Sequence, residues 1–212
     1  MEHQLPAIFN YILLFGVAFF WTITYVLVIY RGFKDQFCGM PLACICANIT
    51  WEFLLTFIMP FHPLQQIVTL IWFLLDCIIL FQFLYYSRTS YAKSTVRAGV
   101  FALLIIAFLL HYGMAVEFHD HMAIYSAFGI NLMMSVLFIQ MLLAKGHQGQ
   151  SLSIAYFKMI GTLCASIVCY FLQPQSVLLM IMYVLIFVLD IVYIALMYRG
   201  SIKTVLRPAI AG

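Results

Sequence analysis

Apolar residues run through this chain in long stretches, broken at short intervals by small groups of charge, glycine and proline. Each stretch is about twenty residues, the length a helix needs to cross a ~30 Å hydrocarbon core at ~1.5 Å per residue. The pattern predicts helices at about 7–30, 40–60, 64–86, 98–116, 121–143, 152–173 and 175–198. Pro6, Pro41, Pro60, Pro63 and Pro174 stand at or between the ends of these stretches, with Pro208 in the tail, where a missing N–H costs little. The connections are short, so consecutive helices are expected to be antiparallel neighbours. The expected fold class is all-α, a seven-transmembrane helix bundle forming a single membrane domain over residues 1–212. No internal repeat or low-complexity segment interrupts it. Met1-Glu2-His3-Gln4 lacks the positive start of a cleaved signal, and the stretch that follows is too long for one, so the first helix is expected to be retained.

Composition changes the picture in one direction. Of 212 residues, 66% are hydrophobic and only 8% charged, against about 25% charged in a soluble domain. Such a surface faces lipid, and little chain is left for a soluble module or a nucleic-acid interface. The net charge of +3 matters less than where the basic residues lie. Arg31 and Lys34 sit in the first loop, Arg88, Lys93 and Arg97 around the third, Lys145 in the fifth, and Arg199, Lys203 and Arg207 in the tail. The loops near 61–63, 117–120 and 174 have no Lys or Arg. The positive-inside rule then puts the N-terminus on the non-cytoplasmic side and the C-terminus in the cytoplasm. The Asn48-Ile49-Thr50 sequon falls inside the second helix and is discounted. Cys38, Cys44, Cys46, Cys77, Cys164 and Cys169 form no C-x-x-C pair and read as packing residues rather than a disulfide framework.

Three carboxylates lie inside expected spans: Glu52, Asp76 and Asp190. Acids in hydrocarbon are costly and mark functional positions. Counted from the cytoplasmic ends, they lie at about 18, 15 and 12 Å, all near the midplane. Three acids at one level on three helices suggest one cavity. Asn48 lies one turn before Glu52 and Trp72 one turn before Asp76; Tyr183, Asp190 and Tyr193 share a face of the last helix, and Asn131 and Ser135 a face of the fifth. Lys158 is the one basic residue within a span, close to its cytoplasmic end, and is expected to snorkel to the interface. At least one carboxyl is then expected to be protonated at neutral pH, since burial and like charge both favour the neutral acid. A carboxylic acid kept neutral in an apolar site is a proton donor.

Other features carry less. Glu117-Phe118-His119-Asp120-His121 matches no zinc spacing and reads as a solvated outer loop. His111 reads as a helix-bonding histidine. No phosphate-binding glycine motif is present.

Asn48-Ile49-Thr50-Trp51-Glu52 resembles the Asn-x-x-Trp-Glu motif of the membrane-bound terpene cyclases of fungal meroterpenoid and indole-diterpene pathways and their bacterial relatives. Trp72-Phe73-Leu74-Leu75-Asp76 resembles that family's third-helix Trp-x-x-x-Asp. Asn131-Leu132-Met133-Met134-Ser135 resembles its fifth-helix segment, and Asp190-Ile191-Val192-Tyr193-Ile194 with Tyr198-Arg199 its seventh-helix ending. The resemblance implies an enzyme that protonates an epoxide or terminal alkene of a lipophilic prenylated substrate and guides carbocation cyclisation. It implies catalytic acids at Glu52 and Asp190, with Asn48, Trp51, Trp72, Asp76, Asn131, Tyr183 and Tyr193 around the substrate. No metal and no cofactor are expected, since the Asp-rich magnesium motifs of the soluble cyclases are absent. The only expected partners are that substrate and membrane lipid, in the endoplasmic reticulum of a fungal host or the plasma membrane of a bacterial one.

Midplane acids also suit a small-solute or proton-coupled seven-helix transporter, which would commonly show repeats and broken spans. A retinal receptor is disfavoured because the last span has no lysine. The charge pattern makes a direct prediction. A reporter fused to the C-terminus should report from the cytoplasm, and a cysteine placed at Pro174 should react with an impermeant thiol reagent from the opposite side. Labelling of that cysteine from the cytoplasmic side alone would reverse the orientation.

Overall fold

The computed structural model describes residues 6–87 and 93–210, without the side chains of 93–94 and 201–210. Met1 to Gln4, Arg88, and the side chains of Lys93, Lys203 and Arg207 therefore lie outside the described residues. The described chain is helical, without strands: α1 (Ala7–Asp35), α2 (Leu42–Phe53) continuing as a π-helical turn (Leu54–Ile58), α3 (Pro63–Tyr86), α4 (Lys93–Glu117), α5 (Ile124–Lys145), α6 (Leu152–Leu172) and α7 (Val177–Ile210). Six of these, all but α2, are long and apolar enough to cross a membrane. Their outward faces carry exposed Phe, Leu, Ile and Val side chains in number, as a lipid-facing surface does.

The helices differ from the sequence expectation mainly at their ends. The fourth begins about a turn earlier than the apolar stretch, and the seventh continues past 198 because no proline stops it before Pro208. The largest difference is the second helix. It has 12 α-helical residues and a 5-residue π turn instead of one regular span over 40–60. Met59 closes that turn by donating its N–H to Leu54 O at 2.8 Å, and Pro60 and Pro63 end it.

Helix α2 is central along most of its length. Cys44, Ile45, Cys46, Ala47, Asn48, Ile49 and Thr50 are buried in succession, while Phe53 at its end is exposed. It packs against α3, α4 and α5, while α1 packs against α3 and α6, and α7 against α5 and α6. His111 Nε2 reaches Ala47 O at 3.0 Å, tying α4 to α2 as a helix-bonding histidine. The π turn is held to α3 from two sides. Thr56 Oγ1 donates to Thr69 Oγ1 at 2.9 Å, and Gln66 Nε2 donates to Thr56 O at 2.8 Å.

Two loops, 36–41 and 146–151, meet at the end assigned by charge to the cytoplasm. Gly149 N donates to Asp35 Oδ2 at 2.8 Å, and Asp35 pairs with Arg31 at 2.9 Å. The backbones of Gly39 and Gly149 touch so closely that neither position has room for a Cβ. Gln150, 1% exposed, points into the bundle, donating to Phe138 O at 3.3 Å and accepting from Tyr193 Oη at 2.9 Å. Cys38 is buried beneath the same loops, and burial pushes its thiol up to about 12.

Without a hydrophobic force between helices in lipid, close approach rests on small residues and fit. Gly161 of α6 faces the Trp21 ring of α1, and a Cβ there would stand 2.9 Å from Trp21 Cδ1. Gly113 on α4 has nothing within 4 Å of such an atom. Gly161→Ala should therefore lower the thermal midpoint in detergent, with an overpacking cost of about 1–3 kcal/mol. Gly113→Ala should leave the midpoint unchanged or raise it. Equal responses of the two variants would remove the α1–α6 contact from the account.

Candidate active site

Tyr25, Asn48, Glu52 and Asp76 form a buried polar group where α1, α2 and α3 meet. The one-turn spacing of Asn48 and Glu52 puts both on the α2 face that looks toward α1 and α3. Tyr25 Oη donates to Glu52 Oε1 at 2.7 Å, and Asn48 Nδ2 donates to Tyr25 Oη at 3.0 Å. Glu52 and Asp76 are 1% and 0% exposed, and their carboxyls lie against one another, with Asn48 and Tyr25 also facing Asp76. No donor reaches Glu52 Oε2 or either Asp76 oxygen. Trp72 walls the group one turn from Asp76; its ring centroid is 6.3 Å from that of Tyr25, and its indole N–H donates to Thr22 Oγ1 at 3.0 Å. Trp21 adds a third ring at 6.0 Å from Tyr25.

A second buried group lies between α5, α6 and α7. Lys158 Nζ is 2.7 Å and 3.0 Å from the two oxygens of Asp190 and donates to Ser135 Oγ at 2.8 Å. Ser135 Oγ in turn donates to Asp190 Oδ1 at 2.8 Å, and Thr162 Oγ1 donates to Asn131 Oδ1 at 3.2 Å. Lys158 is wholly buried. The expected snorkelling does not occur: the Asp190 carboxylate faces Lys158 across the helix contact and, with Ser135, supplies the ammonium with partners inside the bundle.

The structure thus joins Asn48, Glu52, Asp76 and Trp72 in one group, and Asn131 and Asp190 in another. No hydrogen bond among the described residues links the two. Cys44, wholly buried on α2, lies within electrostatic reach of both Lys158 and Asp76. Trp51 points away from Glu52 and donates its indole N–H to Ala123 O at 3.0 Å, anchoring α2 to the start of α5. Tyr193 is spent on Gln150. Tyr183 packs edge-on against Phe128 at 4.5 Å, with its hydroxyl buried and unbonded. A cavity of about 230 Å³ opens between α6 and α7, with Thr162, Ser166, Tyr183 and Asp190 along its wall and the exposed Leu163, Val184 and Phe187 at its lipid side.

Asp120 corrects the reading of the outer loop as fully solvated. It is buried, and its Oδ2 accepts the Tyr125 N–H at 2.9 Å, satisfying a free donor at the start of α5. Three residues of the polar groups were missed or misplaced by sequence reasoning: Tyr25, Gln150 and the pairing of Lys158. For Tyr25 the one available signal was its position a turn after Trp21 within the first span.

Removing one partner of a buried ion pair leaves the other charge without compensation, at about 3–5 kcal/mol. Lys158→Met should therefore lower the thermal midpoint sharply, and the neutral pair Lys158→Met/Asp190→Asn should recover much of the loss. Additive losses in the double variant would mean that the two side chains do not depend on each other.

Comparison with known proteins adds to this geometry. The chain is 29% identical over 161 residues to terpene cyclase macJ of Penicillium terrestre, covering 71% of this chain and 62% of that protein. It is 28% identical over 171 residues to the Pyr4-family terpene cyclase mfmH of Annulohypoxylon moriforme, covering 74% and 69%. It is 29% identical over 153 residues to asnovolin H synthase nvfL of Aspergillus novofumigatus, covering 68% and 63%. The chain thus spans less than two thirds of the length of two of these three relatives. No solved structure matches it significantly. The model of the Pyr4-like transmembrane terpene cyclases matches residues 3–201, nearly the whole multi-pass bundle with both buried polar groups inside it, and the chain belongs to that family.

Proposed function

We propose that the chain is a terpene cyclase that protonates an epoxide or terminal alkene of a lipophilic prenylated substrate and guides the carbocation through ring closure. The observation that carries this reading is Glu52: a buried carboxyl held by Tyr25, set beside a second carboxyl, with no cation bonded to it among the described residues. Alkenes and epoxides are weak bases. Their protonation needs an acid that water does not level, placed where water cannot quench the cation. Glu52 is assigned as the proton donor and Asp190 as its acidic partner. Asn48, Trp72, Asp76, Asn131 and Tyr183 are assigned to the surroundings of the substrate, where aromatic faces attract positive charge; Trp51 and Tyr193, bonded to Ala123 O and Gln150, hold the helices that carry these residues. The family match and the names of the relatives support the reaction class.

The steps balance without a further reactant. The acid's proton adds to the epoxide oxygen or the terminal alkene carbon, and the electron pair of an internal alkene closes each ring onto the cation. A final C–H bond gives up a proton, so the product is an isomer of the substrate. The orientation read from the charges, N-terminus outside and C-terminus in the cytoplasm, is part of the same proposal.

Membranes containing the protein should convert at least one member of a panel of plain and epoxidised prenylated acceptors to a cyclic isomer. Glu52→Gln keeps size and hydrogen bonding but has no proton to give. At matched expression it should lose about 10²–10⁴-fold in rate, the usual effect of removing a general acid. Asp190→Asn should be of similar severity and Asp76→Asn milder. Turnover by Glu52→Gln near that of the parent protein would move the acid role elsewhere.

A further inference from the structure

Three carboxyls and one ammonium occupy the interior of the bundle, and the ammonium is fully committed. Lys158 sits 2.7 and 3.0 Å from the two oxygens of Asp190, so this pair is neutral as a unit. That leaves Glu52 and Asp76 side by side, wholly buried, with no Lys, Arg or His bonded to either among the described residues. Two adjacent carboxylates cannot both be ionised in a low-dielectric site without a counter-charge.

The hydrogen bonds show how the excess charge is met. Tyr25 gives its single O–H to Glu52 Oε1, and the Asn48 amide reaches Tyr25 and faces Asp76. One donor, the Tyr25 O–H, thus reaches the pair of carboxyls. Yet Glu52 Oε2, Asp76 Oδ1 and Asp76 Oδ2 have no donor at all. Two bare carboxylates only accept hydrogen bonds. A single proton between a Glu52 oxygen and an Asp76 oxygen turns that contact into a charge-assisted hydrogen bond, the arrangement by which carboxyl dyads share a proton.

We propose that Glu52 and Asp76 hold one proton between them. Asp76 is then a positioning residue, which sets the readiness of the Glu52 proton. The catalytic meaning of the dyad rests on the acid role proposed for Glu52, but its protonation does not. Every group facing these carboxyls is accounted for. Tyr25 of α1, Asn48 of α2 and Cys77 of α3 surround the dyad, with Cys38 and Cys44 near Asp76. Lys158, Ser135 and Tyr193 surround Asp190.

The test is infrared difference spectroscopy of the full-length protein in lipid vesicles at neutral pH, which reads the C=O stretch of protonated carboxylic acids and needs no substrate. The parent protein should show such a band. Either Glu52→Gln or Asp76→Asn should shift or remove it, the double variant should abolish it, and Asp190→Asn should leave it in place. If Asp190→Asn, which leaves Lys158 without its partner, does not fold, the dyad variants and the neutral pair Lys158→Met/Asp190→Asn still decide the matter, the neutral pair leaving the band in place. A parent spectrum without the band, or a band lost in Asp190→Asn and kept in Glu52→Gln/Asp76→Asn, overturns the proposal. Either result would leave the cyclase reading to be judged on turnover alone.

Discussion

Every charge inside this bundle must be matched or discharged on the spot, because hydrocarbon offers no water to do it. That constraint explains where the polar residues lie better than any single contact does. Lys158 and Asp190 meet it by pairing, with Ser135 bonded to both. Glu52 and Asp76 meet it differently, by facing each other within reach of Tyr25 and Asn48. One solution is an ion pair inside the packed helices, the other a pair of buried carboxyls with no cation bonded to either among the described residues. The first group lies between α5, α6 and α7, while the central helix α2 carries Asn48 and Glu52 of the second and brings Cys44 within reach of both.

A buried central helix needs its own anchors, since neither lipid nor solvent fixes its rotation. Trp51 bonds to the α5 entrance, His111 reaches in from α4, and the π turn is clamped by Thr69 and Gln66 of α3. The π turn follows Glu52 by two residues. One extra residue per turn changes the facing of all that comes after it, so the chain leaves α2 toward Pro60 on a different side from the one a regular helix would choose.

The sequence made the helix count and the apolar surfaces legible, because hydropathy over about twenty residues is a strong and local signal. It also showed Glu52 and Asp76 at one depth, each with a polar or aromatic neighbour a turn away. It did not show who pairs with whom. Lys158 looked like an interfacial residue because its distance along α6 was legible and its orientation was not; only the packing of α6 on α7 reveals that it points at Asp190. Tyr25 was hidden for another reason. A tyrosine in an apolar stretch is normally counted with the packing residues, and its hydroxyl matters only once α1 is set against α2. Gln150 carried no signal along the chain, and it is buried because its loop folds back under α5 and α7. Asp120, in the outer loop read as solvated, is buried as well.

The end where loops 36–41 and 146–151 meet has a consequence for the history of a hydrogen atom. There Gln150 is buried and the backbones of Gly39 and Gly149 touch, so among the described residues these two loops are packed without a gap between the glycines. On the proposed chemistry the proton donated at the start of each cycle is matched by one released at its end, so the protein needs no net supply. Where solvent exchange is slower than turnover, the hydrogen incorporated into one product is the one removed from the molecule before it. Successive products would then be linked by a handed-on atom, and heavy water outside the membrane would mark them only as fast as the loops let it through.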